Sequence, residues 1–114
     1  MKQKFAVLLL DEVWEFLDNL EIKPKEKIIY NIDKSKFVND NEIFKKLDDE
    51  IWEFRTLYNK TYYRIFAFWD KRDKIDTLVL GTHGIIKKTD KTPKGDLEKA
   101  KSIMKAYFEE TAKK

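Results

Sequence analysis

Ile51-Trp52-Glu53-Phe54-Arg55-Thr56-Leu57-Tyr58-Asn59-Lys60-Thr61-Tyr62-Tyr63-Arg64-Ile65-Phe66-Ala67-Phe68-Trp69 is where the hydrophobic period of the chain changes from helical to two. Residues 51–58 alternate, Asn59-Lys60 offers a two-residue turn, and residues 61–69 alternate again. This pattern predicts an antiparallel hairpin. With the turn at 59–60, Trp52, Phe54, Tyr63, Ile65 and Ala67 share one face, which is the core face. Glu53, Arg55, Leu57, Tyr62, Arg64 and Phe66 share the other. In this register Arg55 stands directly opposite Arg64.

Working outward, the short run Lys4–Leu10 reads as a strand. Asp11 is the expected N-cap of a helix in which Val13, Trp14, Leu17 and Leu20 recur at helical spacing, with its end near Asn19. Pro24 is expected to open a second helix buried through Ile28, Ile29 and Ile32. Residues 36–50 read as polar and irregular, with a turn at Asn39-Asp40-Asn41, and with Phe44 and Leu47 tucked onto the core. After a turn at Asp70–Lys74, Ile75–Thr82 is the third strand of the meander. Thr92 is expected to cap, and Pro93 to begin, a last helix with the apolar stripe Leu97, Ala100, Ile103, Met104 and Tyr107. The expected class is α+β: an N-terminal strand and two helices, an antiparallel three-stranded meander and a C-terminal helix, in one domain spanning 1–114.

Composition narrows the chemistry. The chain has 114 residues, no cysteine and one histidine. Disulfides, thiolate metal sites and thiol nucleophiles are thereby excluded, and a multi-histidine metal site with them. No metal or cofactor is expected. No apolar run approaches the roughly 20 residues that cross a bilayer, so the expectation is a soluble cytoplasmic protein without membrane contact. The net charge of +3 is modest. Its distribution says more: most of the excess lysine lies between His83 and Lys105, so the positive field sits in the C-terminal third.

Two arginines facing each other across a sheet are unfavourable unless something shares them. A bound phosphate would, since two guanidiniums clamp it in several bidentate ways. Glu53, bridging both as a surface network, is the competing explanation. The segment Gly81-Thr82-His83-Gly84-Ile85-Ile86-Lys87-Lys88-Thr89-Asp90-Lys91-Thr92-Pro93 leaves the third strand with the one histidine and three lysines, and ends at a helix N-terminus, a place that favours an anion. A solvated basic strand end is the plainer reading of it. Arg55, Arg64, His83 and Lys87 or Lys88, converging beside Tyr62 and Phe66, would make a basic floor with stacking rings, which suits single-stranded RNA. A nuclease without metal ligands uses the RNA 2′-hydroxyl as nucleophile and needs a base, an acid and cations for the phosphate. The candidate catalytic residues are Arg55, Arg64, His83 and Lys88. The candidate RNA-binding residues are Tyr62, Lys87, Lys91 and Lys94. His83, with the one suitable ordinary pKa, is also open to a purely structural hydrogen-bonding role.

Trp52-Glu53-Phe54-Arg55, Tyr63-Arg64-Ile65, the His83–Pro93 run and then Ala100 resemble, in order and spacing, the HigB-like branch of the RelE/ParE toxin superfamily. Ile85 stands where that pattern has Phe, and Glu53 where some relatives are basic. The resemblance implies a RelE-like fold and the toxin half of a type II toxin–antitoxin pair. It implies cleavage of mRNA in the ribosomal A site without metal, and silencing by a cognate helix-turn-helix, HigA-like antitoxin. It also places basic catalytic residues at Arg55, Arg64 and near Lys87 or Lys88, with Tyr107 the nearest match to a C-terminal tyrosine used by some members. Gyrase poisoning, as in ParE-type members, and a non-catalytic binding module are the alternatives.

Overall fold

The computed structural model describes residues 2–73, 77–87 and 93–112. Its elements run β1 (Ala6–Leu9), α1 (Asp11–Asp18), α2 (Ile22–Ser35), β2 (Phe44–Lys46), β3 (Trp52–Tyr58), β4 (Thr61–Asp70), β5 (Leu78–Lys87) and α3 (Lys94–Thr111). The α+β class holds. The meander β3–β4–β5 is present, but it is the middle of a larger sheet. That sheet has five strands in the order β1-β5-β4-β3-β2. β1 lies parallel to β5, with Ala6 opposite Leu78, and the rest is antiparallel. The sheet is therefore mixed.

Local chemistry accounts for most boundaries. Asn59 and Lys60 both have positive φ, 50° and 63°. Two successive left-handed residues make the hairpin turn whose twist matches its strands. The register that follows is the one expected, with Arg55 opposite Arg64 and Phe54 opposite Ile65. Leu10, not Asp11, holds the N-cap place of α1 and gives no side-chain cap. Asp11 and Glu12 sit in the first turn instead, where acids suit the helix dipole. Pro24 is the third residue of α2 rather than its first, still within the turn where a missing N–H costs no bond. Pro93 stands at the N-cap of α3 in an extended conformation, and Thr92 lies outside the described residues.

Three further departures from the sequence reading have physical causes. Residues 44–46, expected to be irregular, pair with β3 as β2, placing Phe44 against Phe54 with ring centroids 4.4 Å apart. The third strand does not stop at Thr82 but runs on to Lys87, so His83–Lys87 is strand rather than loop. Within it, the pairing passes from Phe66↔His83 to Ala67↔Gly81, leaving Thr82 as the extra residue of a bulge. The bulge re-phases the strand, so that His83 and Ile85 face the same side as Leu80 (the α3 side).

Both faces of the sheet carry core. Val13, Leu17, Ile28 and Ile32 of α1 and α2 cover Phe54, Ile65, Ala67 and Val79. On the opposite face Ala100, with Leu97, Met104 and Tyr107 of α3, covers Phe66, Phe68 and Leu80. The face opposite the expected core face is thus divided. One part lies under α3, and the other carries the charges described next. Among the described residues no helix is long and apolar enough to cross a membrane.

Candidate functional site

Period-two alternation puts Glu53 and Arg55 of β3 on one face with Tyr62 and Arg64 of β4. The Tyr62↔Lys87 pairing brings Lys87 of β5 to the same place. At the centre is the Glu53 carboxylate. Its Oε1 lies 3.1 Å from Nε of Arg64 and its Oε2 lies 3.5 Å from Nε of Arg55. Arg64 is 1% exposed, Glu53 3% and Lys87 7%. The arginine pair is therefore not bridged at the surface: Glu53 and Arg64 form a buried ion pair, and Arg55 closes its outer side. Burial pushes the Glu53 carboxyl above its ordinary value; Arg64, then Arg55, Lys87 and Lys45 pull it back. Among the described residues, this one acid is set among four cations.

The Arg64 guanidinium lies over the Tyr62 ring, 5.1 Å from its centroid. Arg55, with 17% of its side chain exposed, donates from Nη1 to the Asn41 carbonyl at 3.3 Å. Both arginines and Tyr62 line an open cleft of about 610 Å³ alongside Lys27 and Lys34 of α2. Asp40 and Glu42 are the acids lining it. Sequence reasoning did not single out Lys27 and Lys34, because they lie on a different element and only the packing of α2 beside β3 brings them in. Asn31 fastens that packing, donating through Nδ2 to Thr56 Oγ1 at 3.0 Å.

His83 is elsewhere. Stacked on Phe66, with centroids 4.9 Å apart, it is held between β5 and α3. Its Nδ1 is 3.0 Å from Thr82 Oγ1 and its Nε2 is 3.1 Å from Asp96 Oδ1. At 1% exposure, with both ring nitrogens engaged inside the protein, it has the geometry of a structural hydrogen-bonder. Burial pushes its pKa below the usual 6.5, partly opposed by the hydrogen bond to the Asp96 carboxylate. The sign follows: between the lowered folded value and 6.5 the unfolded chain holds the extra proton, so stability is lost as pH falls through that window. The acid loss of melting temperature between pH 7.5 and 5.5 should therefore shrink in His83→Gln. Melting both proteins across that range checks it, and taking the difference cancels the opposing slope from Glu53.

Tyr107 is also committed elsewhere. Its hydroxyl donates to Asp70 Oδ2 at 2.8 Å, and Arg72 grips the same carboxylate through Nε and Nη2 at 2.9 and 2.8 Å. Arg72 Nη2 reaches on to Thr111 Oγ1 at 2.7 Å. The Asp70 carboxyl is held well below its usual range, first by Arg72. This network fastens the end of α3 to the end of β4. Arg64 lies six residues back along that strand, roughly 20 Å away. Lys94 is exposed in the first turn of α3. Lys88 and Lys91 lie outside the described residues. The structure thus gathers Arg55, Arg64, Tyr62 and Lys87 and separates His83 and Tyr107 from the cleft.

A family model for phage-derived Gp49-like protein (DUF891) matches residues 15–105, most of the chain and all of this cluster. The chain belongs to the Gp49-like family. That family is associated with toxin–antitoxin systems and is related to RelE-like toxins. No curated protein matches the Gp49-like chain.

Proposed function

We propose that this Gp49-like chain is the toxin of a type II toxin–antitoxin pair and that it cleaves translated mRNA in the ribosomal A site. Family membership supports the toxin role and, with it, an antitoxin partner; a helix-turn-helix, HigA-like antitoxin is the specific form proposed. The RNA reading rests on one observation: Arg55, Arg64 and Lys87 surround a single buried carboxylate beside Tyr62, at a cleft flanked by Lys27 and Lys34. Such a surface offers cations to a phosphodiester and a ring face to a base.

In the proposed reaction the RNA supplies its own nucleophile. The 2′-oxygen bonds to phosphorus, its proton leaves to a base, and the 5′-oxygen departs with a proton from an acid. The products are a 2′,3′-cyclic phosphate and a 5′-hydroxyl end. Arg55 bears on the phosphate as negative charge grows on its oxygens. Tyr62 stacks a neighbouring base, and Lys27, Lys34, Lys87, Lys88, Lys91 and Lys94 follow the backbone. His83 supports the sheet beneath α3 rather than taking the proton.

Inducing the wild-type chain and mapping mRNA 5′ ends within minutes tests this reading. Growth arrest with new ends inside translated frames is expected. Arrest with intact mRNA and a DNA-damage response would replace it with a gyrase-directed toxin.

A further inference from the structure

Glu53 looks at first like an obstacle to an anion site, because it puts a carboxylate among the cations meant to attract phosphate. Its placement argues otherwise. Arg55 and Arg64 are a directly opposed cross-strand pair. Without a shared counterion, two guanidiniums at that spacing repel, and in a poorly solvated setting they repel strongly. The Glu53 carboxylate meets the Nε position of each, one oxygen apiece. We infer that Glu53 is the positioning residue of the site: its ionised carboxylate fastens the partly exposed Arg55 beside the buried Arg64, so that Arg55 meets a phosphate at one fixed place. The inference rests on the RNA reading above, but makes a separate claim about this residue.

The groups facing Glu53 come from every neighbouring strand: Lys45 on β2, Arg55 on β3, Arg64 on β4 and Lys87 on β5. Asp40 and Glu42 line the adjoining cleft with Lys27 and Lys34. While Glu53 is ionised the arginines are held; as pH falls through its raised titration the carboxylate takes a proton and the arginines are released. Bulk electrostatics has the opposite sign, because a more positive protein attracts a polyanion more strongly. Position and net charge therefore predict opposite outcomes.

The test measures binding of a labelled single-stranded RNA 12-mer by fluorescence anisotropy. It compares wild type, Glu53→Asp and Glu53→Gln from pH 5.5 to 8.5, with melting curves alongside. Glu53→Asp keeps the charge and is expected to stay within about threefold of wild type, with the same pH profile. Glu53→Gln gains one unit of net charge, yet is expected to bind about tenfold more weakly and to lose the acid fall in affinity, the scale of one charge-assisted contact. A folded Glu53→Gln that binds as tightly as wild type overturns the inference and leaves Glu53 a plain structural counterion. If Glu53→Gln does not fold, the wild-type profile, followed down through the Glu53 titration, decides: affinity falling as the carboxylate takes its proton supports positioning, and affinity rising throughout overturns it. The two failures are distinguishable. RNA binding without cleavage defeats the nuclease reading and leaves this comparison intact, while absence of RNA binding by the wild type defeats both.

Discussion

Arg64→Ala should lose about 3–5 kcal/mol of folding stability, the usual cost of stranding one member of a buried ion pair. The loss should exceed that of any exposed-charge substitution in this chain. Arg64 is among the largest fully buried side chains, its partner Glu53 is 3% exposed, and the Arg64 guanidinium also covers Tyr62. The alanine leaves Glu53 with Arg55 as its nearest remaining ion-pair partner, at 3.5 Å. The carboxyl then holds a proton more readily, so the penalty should be smaller at low pH and grow as pH rises through the Glu53 titration. Denaturant unfolding at pH 5 and pH 8 measures both effects. A loss under about 1 kcal/mol at pH 8, the range of surface pairs, would mean that the pair is solvated. Removing both charges at once, as Arg64→Met with Glu53→Leu, should recover much of the stability, because the uncompensated charge goes too. Loss of toxicity in Arg64→Ala alone thus reports on folding as much as on chemistry.

Arg55→Ala is the clean probe of function. Its side chain reaches the cleft and keeps partial exposure, and Glu53 retains Arg64 at the shorter distance when Arg55 is gone. The stability cost should stay near 1 kcal/mol. Activity should fall by about 10²–10³-fold, the range seen when one charge-stabilising group is taken from a transition state. Cleavage of translated mRNA by purified protein on programmed ribosomes measures this, with a melting curve to establish the fold. Arg55→Lys should recover only part of the loss, because an ammonium lacks the planar fork that meets two phosphate oxygens. Full activity in a folded Arg55→Ala would remove Arg55 from the site.

The hairpin was legible because two independent signals agreed. Alternation fixed the faces of 51–58 and 61–69, and a two-residue loop permits a single register. Together they oppose Arg55 and Arg64. The strand arrangement beyond the meander was less legible. β1 pairs with β5 across some 70 residues of chain, and no local pattern announces a contact of that span. β2 is three residues long with one apolar side chain, too short for periodicity to register. The bulge at Thr82 reverses the facing of everything after it, and a strict period of two cannot foresee that.

The fate of the polar face was hidden for a different reason. Glu53, Arg55, Tyr62 and Arg64 fall opposite the expected core face, where a surface network through Glu53 is one expectation, whereas Glu53 and Arg64 are buried as a pair. Alternation shows which residues share a face, but not what covers it. The same limit applies to His83. Its residue type suits proton transfer, but the contact with Asp96 that engages it comes from α3, thirteen positions along the chain.

The most direct test of the central claim follows side-chain and backbone resonances of the 15N-labelled protein while single-stranded RNA is added. If the cleft between β3, β4 and α2 receives RNA, the arginine Nε signals of Arg55 and Arg64 and the amides of Tyr62, Lys87, Lys27 and Lys34 should shift together. Signals of Asp70, Arg72 and Tyr107, at the far end of the sheet, should stay in place. Shifts confined to that far end, or none at all with a folded protein, would contradict the account.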